Sequence, residues 1–515
     1  MTSPDYDVVI IGAGISGINF AYRLKERNPH LTYCILEARS EIGGTWSLFK
    51  YPGLRSDSDL YTFSFPWKPW ESTDTIAGAP LILKYLREAV QEQGIEQHIK
   101  FNHTVQSLDF DTRQKAWTFT CQTPGKETVR VSSRFALIGT GYYDYDEPLE
   151  ADIPGIGSFQ GPVVHPQFWP EDLDYAGKNM VVIGSGATAV TVLPSVADKV
   201  AHVTMLQRSP TYIVSVPRGG LFERVTKALL PARIAHAIIR VRWTLLGFLL
   251  VWFCRTMPAL ARWAILRRTA RELPAGTALA PDFTPRYNPW EQRMCLCPDA
   301  DFFRALRSGK ASVVTDEIAA VTAKTIKLKS GRELTPDIIV TATGLKLALL
   351  GKAKLSVDGA AVRLPDRYIW KGAMLEGVPN LFFAFGYVDA SWTLGADATA
   401  QLATRIIAEV GETGKTAICP RQTSDELRTM KPRSFFYLQS TYVKKGQAVV
   451  PKVGDAKQWL PKTLYWRDIL TAWWGDIRSS TTDWEDREEE CAVTKPSKDI
   501  STKLNFKIIS RDCQG

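Results

Sequence analysis

One local pattern of apolar and polar positions occurs twice along the chain. Near the start, Tyr6–Ile11 is a nearly continuous apolar run, as expected of a strand buried on both faces of a parallel sheet. A glycine-rich turn follows at residues 12–17, and Ile18–Leu24 carries apolar residues at helical spacing. A short apolar strand, Tyr33–Leu36, then ends on Glu37. Mid-chain the order recurs: strand Met180–Ile183, a turn at residues 184–189, a helix, and strand His202–Leu206. This succession predicts an α/β fold with two Rossmann-like dinucleotide-binding domains. Further on, the strand-like run Leu381–Gly386 and a helix over Ala398–Val410 predict a return to the first unit.

Residues 218–273 interrupt the second unit. Pro231, Pro258 and Pro274 punctuate them into helix-length pieces. The longest apolar run, Trp243–Cys254, has 12 residues. As a helix it spans ~18 Å against the ~30 Å of a bilayer core, so it is expected not to cross a membrane alone. Arg218–Arg271 holds eleven Lys/Arg and one acid, Glu223, so the chain's net charge of +9 resides in this segment. The basic balance therefore gives no reason to expect nucleic acid as a partner. Arg240, Arg242, Arg255, Arg262, Arg267, Arg268 and Arg271 flank apolar runs containing Trp243, Trp252 and Trp263. Three readings stand: a lid that roofs a pocket, an interfacial helix with Arg toward anionic headgroups, or a core-packed pair with a solvated basic face.

At 515 residues, 45% hydrophobic and 23% charged, the chain is long enough for several cores and is neither disordered nor collagenous. Its eight cysteines are scattered without a C-x-x-C, and its six histidines form no ligand-spaced cluster. No metal site is expected, and a reduced cytoplasmic location, with peripheral membrane contact through 218–273 as an option, fits best. Polar residues before the first strand predict no signal peptide.

The turns carry the chemistry. Gly12 permits the tight turn, Gly14 lets backbone approach a pyrophosphate, and Gly17 lets helix and strand pack closely. Free N–H groups at the helix start would meet the phosphates. A carboxylate at Glu37 can accept both ribose hydroxyls, which favours an adenine dinucleotide without a 2′-phosphate, such as FAD. The bland alternative is a glycine turn in a nucleotide-free fold. In the second copy, Gly184-Ser185-Gly186-Ala187-Thr188-Ala189 replaces the third glycine by alanine, which the motif allows. Where the first copy has Glu37, the second has Arg208 followed by Ser209. A guanidinium pairs with a 2′-phosphate, so NADPH is expected there, the alternative being a solvated surface Arg. Two such folds in one chain imply hydride transfer from nicotinamide to flavin. Without a redox cysteine pair near the flavin, the electrons are expected to go to oxygen or a small substrate.

Three further strings are specific: Gly43-Gly44-Thr45-Trp46 with Tyr51-Pro52-Gly53-Leu54-Arg55-Ser56-Asp57; Phe159-Gln160-Gly161-Pro162-Val163-Val164-His165-Pro166-Gln167-Phe168-Trp169-Pro170; and Ala342-Thr343-Gly344. Together they resemble the class B flavoprotein monooxygenases, and the Trp-Pro ending resembles their Baeyer–Villiger branch. The runs Tyr51–Tyr61, Asn179–Ile213 and Tyr287–Phe303 resemble its thioamide-activating members, with similarity from about residue 5 to about residue 475.

The resemblance implies roles. Ser16, Glu37, Gly44, Thr45, Trp46, Asp57 and the backbone of Val105 would contact FAD. Arg55, Ser56 and Asp57 would also face the nicotinamide nucleotide. Residues 184–189, Arg208 and Ser209 would hold NADP. Arg293 matches the arginine that stabilises a C4a-peroxyflavin and the intermediate formed after it, with Asp57 holding that arginine. Many members carry Lys just before this Arg; here it is Gln292, which weakens the expected preference for NADPH. The implied activity is insertion of one oxygen atom of O2 into hydrophobic ketones, with sulfoxidation of sulfides or thioamides. Two alternatives are a heteroatom monooxygenase with little ketone activity and a flavin-bound sensor without turnover. His165, in the linker, is read as a structural residue or as a transmitter of domain rotation. The expected partition is 1–145 and 345–430 for FAD, 146–217 and 295–344 for NADP, 218–294 for the insertion, and 431–515 for a partly flexible extension. Crossings are expected at Gly139-Thr140-Gly141 and Ala342-Thr343-Gly344. Substrate identity and oligomeric state are not legible.

Overall fold

A computed structural model of the chain describes residues 3–436 and 441–483. The first domain centres on parallel strands in the order Ile99–Lys100, Tyr33–Leu36, Tyr6–Ile11, Thr128–Ile138 and Leu381–Phe383. Its central strand is apolar from Val8 to Ile11 because helices and loops cover both faces; Val8, Val9 and Ile10 have no exposed surface. The long strand Thr128–Ile138 also closes an antiparallel meander with Thr104–Asp111 and Ala116–Gln122. Lys354–Val357 then adds in parallel to Thr104–Asp111, so the segment after residue 345 rejoins the first domain.

Helices Ile15–Arg27 and Trp392–Glu412 pack side by side over this sheet. The second is longer than its periodicity suggests and starts at Trp392, whose ring stacks on Tyr142. Asp397 is fully buried between the two helices, yet it is satisfied by Arg23 at 2.8 Å, Asn19 at 3.2 Å and Gln401 at 2.7 Å.

The second domain is a five-stranded parallel sheet in the order Ala311–Thr315, His202–Gln207, Asn179–Ile183, Ile338–Thr341 and Val163–Val164. In both domains the strand that feeds the glycine turn lies between the strand that follows it and a later one. That is the switch point of a doubly wound sheet, where a crevice opens.

The insertion leaves through Ile213–Val216 and returns through Cys295–Pro298, two strands paired in parallel. Between them stand helices Leu221–Leu229, Ala232–Thr256 and Pro258–Glu272. The middle helix has 25 residues, twice the apolar run that suggested a short segment. It runs through Arg240 and Arg242 because both find partners. Arg240 donates to the carbonyls of Tyr61 at 2.9 Å and Ser64 at 2.7 Å, and Arg242 pairs with buried Glu223. At 25 residues it is long and apolar enough to span a bilayer, unlike the 12-residue run from which no crossing was expected, and Arg240 ties it to the first domain.

Residues 441–483, expected as part of an extension, complete the first domain. Helix Tyr465–Trp474 packs on Trp392–Glu412, Thr481–Asp483 pairs with Ile418–Pro420, and Trp459 is fully buried. The Lys-rich tail expected to be flexible lies outside the described residues.

Candidate active site

The two glycine turns border one cleft of about 1370 Å³. Gly12, Gly14, Ser16, Glu37, Gly44, Thr45, Trp46, Ser56, Asp57 and Val105 line it from the first domain. Gly184, Ser185, Gly186, Ala187, Thr188, Arg208, Ser209 and Arg293 line it from the other side. Gly17, Ala189 and Arg55 do not border it. A Cβ on Gly17 would stand 1.8 Å from the Gly12 carbonyl oxygen, so this glycine serves the close contact of helix and turn. Ala189 is buried in the apolar core of the second domain.

Both nucleotide helices start without a side-chain cap. Helix Ile15–Arg27 begins on Gly14, and helix Ala187–Val196 on Gly186, each with no acid in its first turn. Such ends present unpaired N–H groups and roughly half a positive charge. No atom lies within 4 Å of where a Cβ on Gly186 would be, and in front of Gly14 only the Gly44 Cα stands close, at 3.8 Å. Open space against an uncapped helix start, once in each domain, fits two pyrophosphate groups.

Glu37 sits beneath the first turn. One carboxylate oxygen accepts from the Ala13 amide at 2.6 Å and the other from the Arg39 amide at 2.9 Å. Burial pushes its carboxyl upward, and these amides oppose the shift. Each oxygen retains acceptor capacity for a ribose hydroxyl. Trp46 meets Phe63 edge-on, and the Thr45 hydroxyl is 3.0 Å from that of Tyr145. On the second turn, Ser185 donates to the Ser209 carbonyl at 3.0 Å, which ties the phosphate loop to the segment carrying Arg208. Asp316, Glu317 and Gln292 line the same cleft. A hydrogen bond from Lys329 holds the Glu317 carboxyl below its usual range, and the nearby Arg208 charge adds to this.

The segment 51–58 clasps the two domains. Tyr51 packs against the apolar core of the second domain beside Thr188, on its nucleotide helix. Gly53 adopts φ +75° and lies so close to that helix that a Cβ would meet the Ser195 hydroxyl oxygen at 1.8 Å. Arg55, expected to face the nicotinamide nucleotide, turns instead into an ion pair with Asp301 at the start of helix Asp301–Arg307. Both of its guanidinium branches reach this carboxylate, so Arg55 works as an interdomain anchor. Two residues on, Asp57 receives Arg293: Nη2 donates to Oδ1 at 3.1 Å, and Nε lies 3.0 Å from Oδ2. The Ser58 hydroxyl lies 3.4 Å from the same Nη2. A fixed guanidinium thus stands on the cleft wall between the two dinucleotide turns.

Against known proteins, residues 9–218 match the model of the pyridine nucleotide-disulphide oxidoreductase family. A protein named FAD-containing monooxygenase EthA, from Mycolicibacterium smegmatis, is 44% identical over 90% of this chain and 94% of its own. The chain belongs to the FAD-containing monooxygenases. Probable FAD-binding monooxygenase AlmA of Acinetobacter baylyi is 40% identical over 90% of the chain and 92% of its own. Among solved structures, a complex of OTEMO with FAD and NADP has a TM-score of 0.70 at 19% identity, covering 93% of this chain and 100% of that one. An open structure of cyclohexanone monooxygenase has a TM-score of 0.67 at 22% identity, covering 82% and 90%. These two share the fold.

In this monooxygenase the match to disulphide oxidoreductases reflects shared domain architecture. Cys295 lines the cleft, but burial pushes its thiol up to about 12, so it stays protonated and unreactive at neutral pH. His165 does not border the cleft. It lies beside Gly344 at the domain crossing, its Nδ1 accepts from the Gln167 amide at 3.3 Å, and burial lowers its pKa. Four contributors escaped the sequence reading: Ser58 beside Arg293, Asp301 as the partner of Arg55, Tyr145 against Thr45, and Trp392, whose indole donates to Ser16 Oγ at 3.0 Å. The aromatic run after Gly141 was the visible hint for Tyr145. Nothing local marked the other three.

Proposed function

We propose that this monooxygenase holds FAD on the first turn and NADPH on the second, and inserts one oxygen atom of O2 into hydrophobic ketones, with sulfides as further substrates. The observation that carries this reading is the Asp57–Arg293 pair on the cleft wall between the two turns. Gly14, Ser16, Glu37, Thr45 and Trp46 would hold FAD; Gly186, Ser185, Arg208 and Ser209 would hold NADPH. When bound, the flavin supplies two electrons to O2 and so activates it.

The rest falls to the chain's own residues. Arg293 stays charged at any working pH and presents fixed donors toward the cleft, where an oxyanion formed from a carbonyl would find them. Asp57 grips two of its nitrogens, so that the guanidinium need not reorganise as charge develops. The Tyr51–Asp57 clasp ties the two domains together beside the cleft, through the Arg55–Asp301 pair and the close approach of Gly53 to helix Ala187–Val196. Arg208 favours a 2′-phosphate, while Glu317 in its vicinity and Gln292 temper that preference. The protein should be assayed with NADPH and a panel of aliphatic ketones and sulfides, with products identified by mass spectrometry. Ester or lactone supports the reading. Sulfoxide without ester would restrict it to heteroatom oxidation, and NADPH consumption without any oxygenated product would overturn it.

A further inference from the structure

The insertion presents an apolar face that the fold does not cover. Helix Ala232–Thr256 turns one stripe inward: Ala235, His236, Ile239, Arg240, Thr244, Val251 and Cys254 are buried. Arg240 fixes this stripe to the carbonyls of Tyr61, Thr62 and Ser64, and the Trp243 indole donates to Glu223 at 3.0 Å. A surface helix held in this way ordinarily turns charged residues outward. Here the outward row is Ile234, Ile238, Val241, Leu245, Phe248, Leu249 and Trp252, each 41–52% exposed. Between Ile234 and Trp252 every exposed residue is apolar or glycine. Exposed apolar side chains continue on helix Leu221–Leu229 with Leu221 and Leu229, and on helix Pro258–Glu272 with Leu260 and Trp263. Helix Tyr465–Trp474 begins beside Arg240 and exposes Leu470 and Trp474. This exceeds the scattered apolar exposure of an ordinary soluble surface.

Charge selects the occupant. Exposed Arg224, Arg233, Arg267 and Arg271 rim the apolar rows, with Arg255 nearby in an ion pair with Asp389, in a segment of eleven Lys/Arg and one acid. A second copy of the chain would bring the same positive rim to the same face and be repelled. An anionic surface with an apolar interior satisfies both features, and tryptophans at the edge of such a face suit the headgroup boundary. We infer that the insertion is a monotopic docking surface for an anionic lipid bilayer. The long helix lies flat in the headgroup region with its outward row among the acyl chains, and its buried row keeps it from crossing. The arginines contact lipid phosphates. The inference is independent of which substrate is oxidised.

The test is flotation of the purified full chain, loaded with FAD, with phosphatidylcholine vesicles with and without phosphatidylglycerol, at low and high salt. The protein should float with the anionic vesicles at low salt, more weakly at high salt, and at least tenfold less with the neutral vesicles. The double substitution Phe248→Asp and Leu249→Asp should lower the bound fraction at least tenfold while flavin content and NADPH oxidation in solution stay at the parent level. Arg233→Glu with Arg267→Glu, which leaves the apolar row intact, should also reduce binding. Failure to float at low salt would overturn the inference, as would undiminished flotation of the aspartate variant. So would a dimer in solution that the aspartate variant dissociates, with no vesicle binding by either form.

Discussion

Asp57 and Arg293 lie 236 positions apart in the chain and meet through both carboxylate oxygens, at 3.1 and 3.0 Å, on the wall of the cleft. Each is supplied by a separately positioned element: Asp57 by the clasp that spans the domains, Arg293 by the segment entering strand Cys295–Pro298. Replacing Arg293 by Ala removes the charge without touching either glycine turn. Oxygenated product should fall by roughly 10²–10³-fold, the usual loss for a preorganised donor. Hydrogen peroxide should then account for the NADPH still consumed, as a peroxide assay run beside product analysis would show. Asp57→Ala should give a smaller fall, because the guanidinium remains but loses its fixed orientation.

Arg208 sets coenzyme choice if it meets a 2′-phosphate. Arg208→Ala should raise KM for NADPH by roughly tenfold to a hundredfold, in keeping with a charged hydrogen bond, and KM for NADH by less than about twofold. Glu317→Gln should move the ratio the other way, because a carboxylate near Arg208 is neutralised. Steady-state kinetics with both coenzymes check this; equal effects on the two would argue against a phosphate contact.

Gly53 is predicted to be indispensable for a packing reason. Gly53→Ala places a methyl group 1.8 Å from the Ser195 oxygen and strains a left-handed backbone. The strain alone costs about 1–2 kcal/mol. Combining it with Ser195→Gly should recover part of the thermal stability but not all of it, since the backbone conformation remains. Full recovery, or no loss in the single variant, would contradict the clasp.

The turns and their cofactors were legible because they rest on residue types at fixed spacing, whereas the Asp57–Arg293 pair was legible only through the family resemblance carried by the strings around it. Arg55 was legible as important but not in its role, since its partner Asp301 is 246 residues away and nothing local marks it. The long helix of the insertion was under-read because Arg240 and Arg242 interrupt the apolar run; only the fold reveals the carbonyls and the buried Glu223 that receive them. Residues 441–483 looked like an appendage because short apolar stretches among polar ones do not announce that Trp459 is fully buried.

His236 makes stability sensitive to acid. It is 3% exposed, and burial, with the charges of Arg240 and Lys227, lowers its pKa to about 4. In the unfolded chain the value is about 6.5. Between those values the unfolded chain holds a proton that the native state does not, so stability falls as pH drops through this window. Between pH 7 and pH 5 the loss from this group is about 2 kcal/mol. His236→Gln retains an acceptor for the Trp70 amide, now 3.4 Å from Nδ1, and should shrink the drop in melting temperature between those two pH values. An unchanged drop would assign the acid sensitivity elsewhere.

The most direct test of the central claim is product analysis under ¹⁸O2 with NADPH and a hydrophobic ketone or sulfide. One labelled oxygen atom should appear in each molecule of ester or sulfoxide, with product tracking NADPH consumed in the parent protein and largely lost in Arg293→Ala. Unlabelled product, or product formed equally well by Arg293→Ala, would contradict the account.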